Sequence, residues 1–409
     1  MNDNQNNYNE QSRENAEKEE IRFSESDFGN PYSRYYSDET KQNSRGDDRG
    51  CDWSPYTSDS DNPYSKGYGA QRKSGGFSSE LSDEAKHRSH FSRIGTGYAL
   101  FSVITLAVSL IISVTVRYLN PEFYESALFM NMLTPVSLYL FALPVLLIVL
   151  SGCDTGVPEK RRMGFGEWLL FLIASFGAMY IGSIIGNNVM AFLSELVGYD
   201  YGNALNEIID DENLWVTTIF AVIIAPIGEE FVFRKLIIDR TKKYGPLLSI
   251  GLSGLMFGLM HSNFYQFFYC FALGIILGYI YYTTGRLYLT IAIHAIINFV
   301  GGVVTTLLIP ISDKLLSVDP EDPSALIEIV TESPLATVGF VVFELFVYAA
   351  MICAVVFPIA FRKKLMGKLS CGEIIIPRGR MIQTVILSGG IILMFVVYLL
   401  EFGLNLLPI

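Results

Sequence analysis

The sequence predicts an all-α fold: a polytopic membrane helix bundle of about nine spans behind a disordered, polar N-terminal tail. Three observations carry that reading. Half of the 409 residues are hydrophobic and only 17% are charged. From around Phe101 onward, apolar runs of about 18–25 residues recur, long enough to cross a bilayer as helices. Before them lies a stretch that almost lacks Leu, Ile and Val.

Residues 1–92 are rich in Asn, Ser, Asp, Glu, Gly and Tyr. They cannot bury enough apolar surface to offset the entropy of ordering, so a disordered cytoplasmic tail is expected. A weak repeat, Asn30-Pro31-Tyr32-Ser33-Arg34-Tyr35 and Asn62-Pro63-Tyr64-Ser65-Lys66-Gly67-Tyr68, reads as low complexity or as a tyrosine-based docking segment. The opening of the tail is polar, so no cleavable signal peptide is expected and the first apolar span serves as the start-transfer signal. Spans over 94–118 and 128–150 occupy segment 93–164. Spans over 166–188, 214–239, 246–262, 264–283 and 287–309 form a core, 165–310. Segment 311–409 holds an outer loop and two last spans, 335–361 and 381–401.

Charge sets the orientation. With the tail in the cytoplasm, Lys160, Arg161, Arg162, the cluster from Arg234 to Lys243, Arg286 and the cluster from Arg362 to Arg380 all fall inside. Only Arg117 and Lys314 fall outside, as the positive-inside rule requires. The outer loops are acidic, with Glu207, Asp210, Asp211 and Glu212 before the fourth span and Asp313, Asp319, Glu321, Asp322, Glu328 and Glu332 after the seventh. They read as solvated loops. Gly182/Gly186, Gly254/Gly258 and Gly274/Gly278 have the small-residue spacing that lets helices approach in lipid. No strand precedes them, which excludes a dinucleotide loop. A net charge of −11 gives no nucleic-acid signal. The five cysteines have no paired spacing, so neither a zinc ribbon nor a disulfide framework is indicated, and Cys270 reads as packing.

One feature breaks the apolar pattern. Residues 215–227 run almost without charge into Gly228-Glu229-Glu230-Phe231-Val232-Phe233-Arg234. Ionisable groups in such a segment are costly and usually face a polar cavity. Outside the tail the sequence supplies two histidines, His261 in Phe257-Gly258-Leu259-Met260-His261 and His294 in a helix that also carries Asn298. The four-residue spacing puts His294 and Asn298 on one face, and Phe257 and His261 on another. At about 1.5 Å per residue, Glu229 lies about 15 Å, His294 about 10 Å and His261 about 20 Å from the inner ends of their spans. In a hydrocarbon core of about 30 Å, all three reach the middle third. A carboxylate partly withdrawn from water is a suitable general base near neutral pH. A histidine beside the same water can help activate it or protonate a leaving amine, and a second histidine with an amide donor can hold an oxyanion. Arg234 can hold one carboxylate ionised. The set fits hydrolysis of a peptide bond. The zinc-protease motif His-Glu-x-x-His is absent, and no serine or cysteine has an evident partner.

These residues resemble the motifs of a known family. Glu229-Glu230 with Arg234, Phe257 with His261, and His294 with Asn298 look like the three motifs of the type II CAAX prenyl endopeptidase and bacteriocin-processing (CPBP, or Abi) intramembrane proteases. The resemblance covers residues 165–310 and leaves out the tail and the last two spans. It implies that Glu229 and His261 activate the water, that His294 and Asn298 bind the oxyanion, and that Glu230 and Arg234 organise the site. It further implies a membrane-associated, lipidated peptide or protein as substrate, and an integral membrane protein, here expected in a bacterial plasma membrane. Cofactors stay open between none and zinc, since Glu229, His261 and His294 are a reasonable catalytic zinc set. A non-catalytic membrane scaffold, a bacteriocin-immunity protein and a transporter are the alternatives. Transporters often show repeated halves, and no such symmetry is evident here.

Overall fold

In the computed structural model, residues 76–199, 201, 214–319, 323–369, 376 and 378–407 are described. The tyrosine repeats, Cys51, Cys371 and the acidic stretch from Glu207 to Glu212 lie outside them. Among the described residues there are helices and no strand. We number the longer helices α1 (Gly76–Leu119), α2 (Ala127–Leu150), α3 (Phe165–Val197), α4 (214–241), α5 (Pro246–Met260), α6 (Phe264–Thr284), α7 (Leu287–Leu316), α8 (Pro334–Ala360) and α9 (Gly389–Asn405).

Each expected span is helical, though not all nine pass a test of length and apolar composition. Six helices among the described residues, α1, α2, α3, α6, α7 and α8, are long and apolar enough to cross a membrane. A seventh is reached if Gly379–Ile386 and α9, bent by 61° at their junction, count as one span. The α4 run is helical throughout but carries Glu229, Glu230, Arg234 and Lys235, and α5 has only 15 residues. By length and apolar composition alone these two elements therefore do not qualify as spans. This is an integral membrane protein.

Two boundaries also move. Residues 76–92, expected in the tail, extend α1. Phe91, Ile94 and Tyr98 are buried, and the His90 ring nitrogen Nε2 lies 2.9 Å from the carbonyl of Arg240 at the inner end of α4. The helix therefore starts early because it has a neighbour to pack on. Likewise, the expected outer loop after residue 309 is largely helix: α7 runs on to Leu316, and Pro323–Glu332 forms a short helix of its own. Lys314 in the first faces Glu332 in the second at 3.8 Å.

The core centres on α6, which packs against α5 on one side and α3 on the other. Its small residues explain the fit. A Cβ on Gly182 of α3 would lie 2.5 Å from the Tyr269 Cα, and one on Gly274 of α6 would lie 2.7 Å from the Gly254 Cα of α5. Gly285 closes α6 in a left-handed conformation, φ 59°, with the Pro158 carbonyl 2.5 Å from where a Cβ would stand. Both constraints demand glycine there. α8 covers α3. On the other flank, α9 lies against α1 through a close backbone approach at Gly95 and Gly390, and the Gly390 amide donates to Ser92 Oγ at 2.9 Å.

A Cβ on Gly390 would fall 1.7 Å from the Ser92 carbonyl oxygen, so the two helices must separate to admit it. Gly390→Ala is expected to destabilise the protein by on the order of 1–3 kcal/mol, read as a lower thermal midpoint in detergent. Gly403→Ala, on the same helix but facing open space, is expected to leave the midpoint unchanged or to raise it.

Candidate active site

The site begins with an irregularity in α4. Its helix passes through π-helical turns at Ile219–Ile224 and Glu230–Lys235, and α7 has another at Phe299–Val304, directly after Asn298. Such turns are rare in helices and frequent at functional sites, because one extra residue per turn re-aims the side chains beyond it. Here one turn precedes Glu229 and the next begins at Glu230 itself, and on the other helix the turn follows His294 and Asn298.

Glu230 and Arg234 are both fully buried and form an ion pair at 3.1 Å. The guanidinium reaches past the carboxylate to α5, where Nη1 donates to Ser253 Oγ at 3.3 Å. Its Cζ sits 4.5 Å from the centre of the Phe257 ring. Nη2 has no hydrogen-bond partner among the described residues. The second oxygen of Glu230 faces His294 Nδ1 at 3.0 Å. On the far side of that imidazole, Nε2 stands 3.6 Å from Glu229. Glu229 differs from its neighbour: its side chain is 15% exposed, against 0% for Glu230. One acid is thus locked into a buried pair, and the other is left partly exposed with a histidine nitrogen beside it.

Structure therefore joins Glu229, Glu230, Arg234 and His294 through direct contacts. Asn298 lies one turn along from His294, and its Nδ2 donates to the carbonyl of Ala221, inside a π-turn of α4, at 2.8 Å. His261 ends α5. Its Nδ1 is 3.0 Å from the Phe257 carbonyl and its Nε2 is 3.4 Å from Cys270 Sγ. Among the described residues, no hydrogen bond or ion pair links His261 or Asn298 to either carboxylate. The Phe257 ring connects them instead, meeting His261 and His294 edge-on at centroid separations of 5.2 and 5.6 Å. Cys270 is buried, as a packing residue should be, yet it touches a site histidine.

No group of three or more His, Cys, Asp or Glu side chains with the geometry to hold a metal ion occurs among the described residues. Glu229, His261 and His294 do not form one in this arrangement.

Two participants, Ser253 and Tyr139, were not singled out from sequence, and a third, Cys270, read only as packing. Ser253 lies four residues before Phe257 and eight before His261, on the same helical face, so its position was in principle readable. Cys270 carried no such signal, since only the fold brings it to His261. Tyr139 covers Gly228, where a Cβ would lie 2.1 Å from the tyrosine Cζ.

Residues 211–300 match the family model described as type II CAAX prenyl endopeptidase Rce1-like, in keeping with the family that the sequence motifs resemble. No curated protein and no solved structure gave a match.

The buried pair sets a stability expectation. Arg234→Met leaves Glu230 as an uncompensated buried charge and is expected to cost about 3–5 kcal/mol. Adding Glu230→Gln to the same chain is expected to recover part of that loss. Unfolding of the two single variants and the double variant, compared as a cycle, reads the coupling.

Proposed function

We propose that this protein is an intramembrane endopeptidase that hydrolyses peptide bonds of a membrane-associated, prenylated peptide or protein with water activated by Glu229. The observation that carries the reading is the asymmetry of the acidic pair. Glu230 is committed to Arg234 and to His294 Nδ1, whereas Glu229 is partly exposed beside His294 Nε2. The Rce1-like match over residues 211–300 supports the same chemistry and the lipidated substrate class.

In this reading Glu229 takes a proton from water as the water oxygen attacks the scissile carbonyl carbon. With Glu230 held ionised by Arg234, the Nδ1–H of His294 donates to it. That orients the ring, and with a proton on both ring nitrogens its Nε2–H can donate to the oxyanion. Asn298 offers the second donor through the Nδ2 hydrogen not given to Ala221. Collapse of the intermediate breaks the C–N bond, and the proton carried by Glu229 passes to the leaving amine. His261 assists at the water through Nε2, which meets only the weak donor of a thiol at 3.4 Å. The chemistry is metal-free. The distribution of Lys and Arg supports a cytoplasmic tail.

The test is cleavage of prenylated and unprenylated peptides by the purified protein. Glu229→Gln is expected to lower kcat by about 10²–10⁴-fold, the usual worth of a general base, with substrate binding retained. Equal cleavage by wild type, Glu229→Gln and His261→Ala would overturn the protease reading. Activity is also expected to survive exhaustive chelation. Loss on chelation with recovery on adding zinc would overturn the metal-free mechanism.

A further inference from the structure

The turn that carries His261 is held by a helix outside the family-matched segment. α5 ends at His261, and the next residue, Ser262, has φ 53°, the one positive-φ residue other than glycine among the described residues. Glycine usually fills this position after a helix, because a Cβ makes the left-handed conformation costly. A serine there needs a compensating contact. Its hydroxyl donates to Glu401 Oε2 at 2.8 Å, and its carbonyl accepts from Asn405 Nδ2 at 2.8 Å. Both partners belong to α9. The other oxygen of Glu401 accepts a short hydrogen bond from Ser102 of α1.

Glu401 is 8% exposed and is not given to any cation: no Lys, Arg or His pairs with it among the described residues. A buried carboxylate in an apolar helix is costly, and its acceptor oxygens are used on Ser102 and Ser262. Phe402 beside it packs on Phe264 and Phe267 at 5.0 and 6.0 Å, just past the turn. Within the turn, Asn263 Nδ2 donates to the His261 carbonyl at 2.7 Å, while its Oδ1 caps the start of α6 by accepting from the Gln266 amide at 2.9 Å. α9 is itself fixed to α1 by the glycine contact at Gly95 and Gly390.

We propose that Glu401, acting through Ser262, is a positioning residue that fixes the His261 imidazole at the site. The proposal rests on the hydrolytic reading above for its effect on catalysis. A second consequence does not: a loosened turn separates His261 from Cys270 and exposes that thiol.

The decisive variant is Ser262→Gly. It relieves the backbone conformation and removes the bond to Glu401, so the fold is expected to persist. Loss of a hydrogen bond to a charged group corresponds to about a tenfold effect or more. The expected result is a kcat lower by about that factor with KM within about twofold, and alkylation of Cys270 by N-ethylmaleimide faster by about tenfold, followed by peptide mass spectrometry. Glu401→Ala is expected to behave likewise, with Glu401→Gln, which keeps one acceptor oxygen, intermediate. Leu400→Ala, on the exposed face of α9, is the control expected to match wild type. An unchanged kcat or an unchanged Cys270 alkylation rate in Ser262→Gly overturns the proposal. If wild type cleaves nothing, the hydrolytic reading falls, and the alkylation rate alone decides whether Glu401 holds the turn.

Discussion

A fully buried carboxylate–guanidinium pair governs the interior of this protein. Glu230 and Arg234 have no water to fall back on, so each must find its partners in neighbouring helices. The arginine reaches Ser253 and the Phe257 face on α5, and the glutamate reaches His294 on α7. Three helices are thereby tied at one depth by groups that lose heavily if they part. The arrangement is a poor source of net stability, since the desolvation of two ions offsets much of their attraction. What it provides is register: α4, α5 and α7 cannot slide past one another without stranding a charge.

The same constraint explains why α4 is not a smooth span. A run that must present Glu229 to one nitrogen of His294, Glu230 to the other and Arg234 to α5 needs side chains aimed in directions that a regular α-helix does not offer together. The π-helical turns before Glu229 and from Glu230 onward re-aim them.

Much of this was legible in the chain. Apolar run length located every long helix, and the burial-cost argument led from Glu229-Glu230 to Arg234 and His294, which the fold brings into direct contact. Helical spacing linked Phe257 to His261 but did not show that the ring would touch both histidines and the arginine. The early start of α1 was hidden because residues 76–92 are polar in composition, and only the fold brings His90 to Arg240 and Phe91 to Tyr244. Glu401 was readable by the argument applied to the acidic pair, being a lone acid in an apolar helix, yet its meaning depends on Ser262, a contact that no local pattern encodes.

The bond from Ser262 to Glu401 spans 139 residues of sequence, and the glycine contact joins the first and last of the long helices. During synthesis, α4 to α7 emerge well before α9. At about 5–20 residues per second, the turn bearing His261 waits on the order of ten seconds for its support. An incomplete chain in the membrane would then carry the acidic pair and both histidines without the brace that aligns them. On the proposed reading, the full rate would come only with α9, and a copy still lacking it would turn over more slowly among the proteins around it.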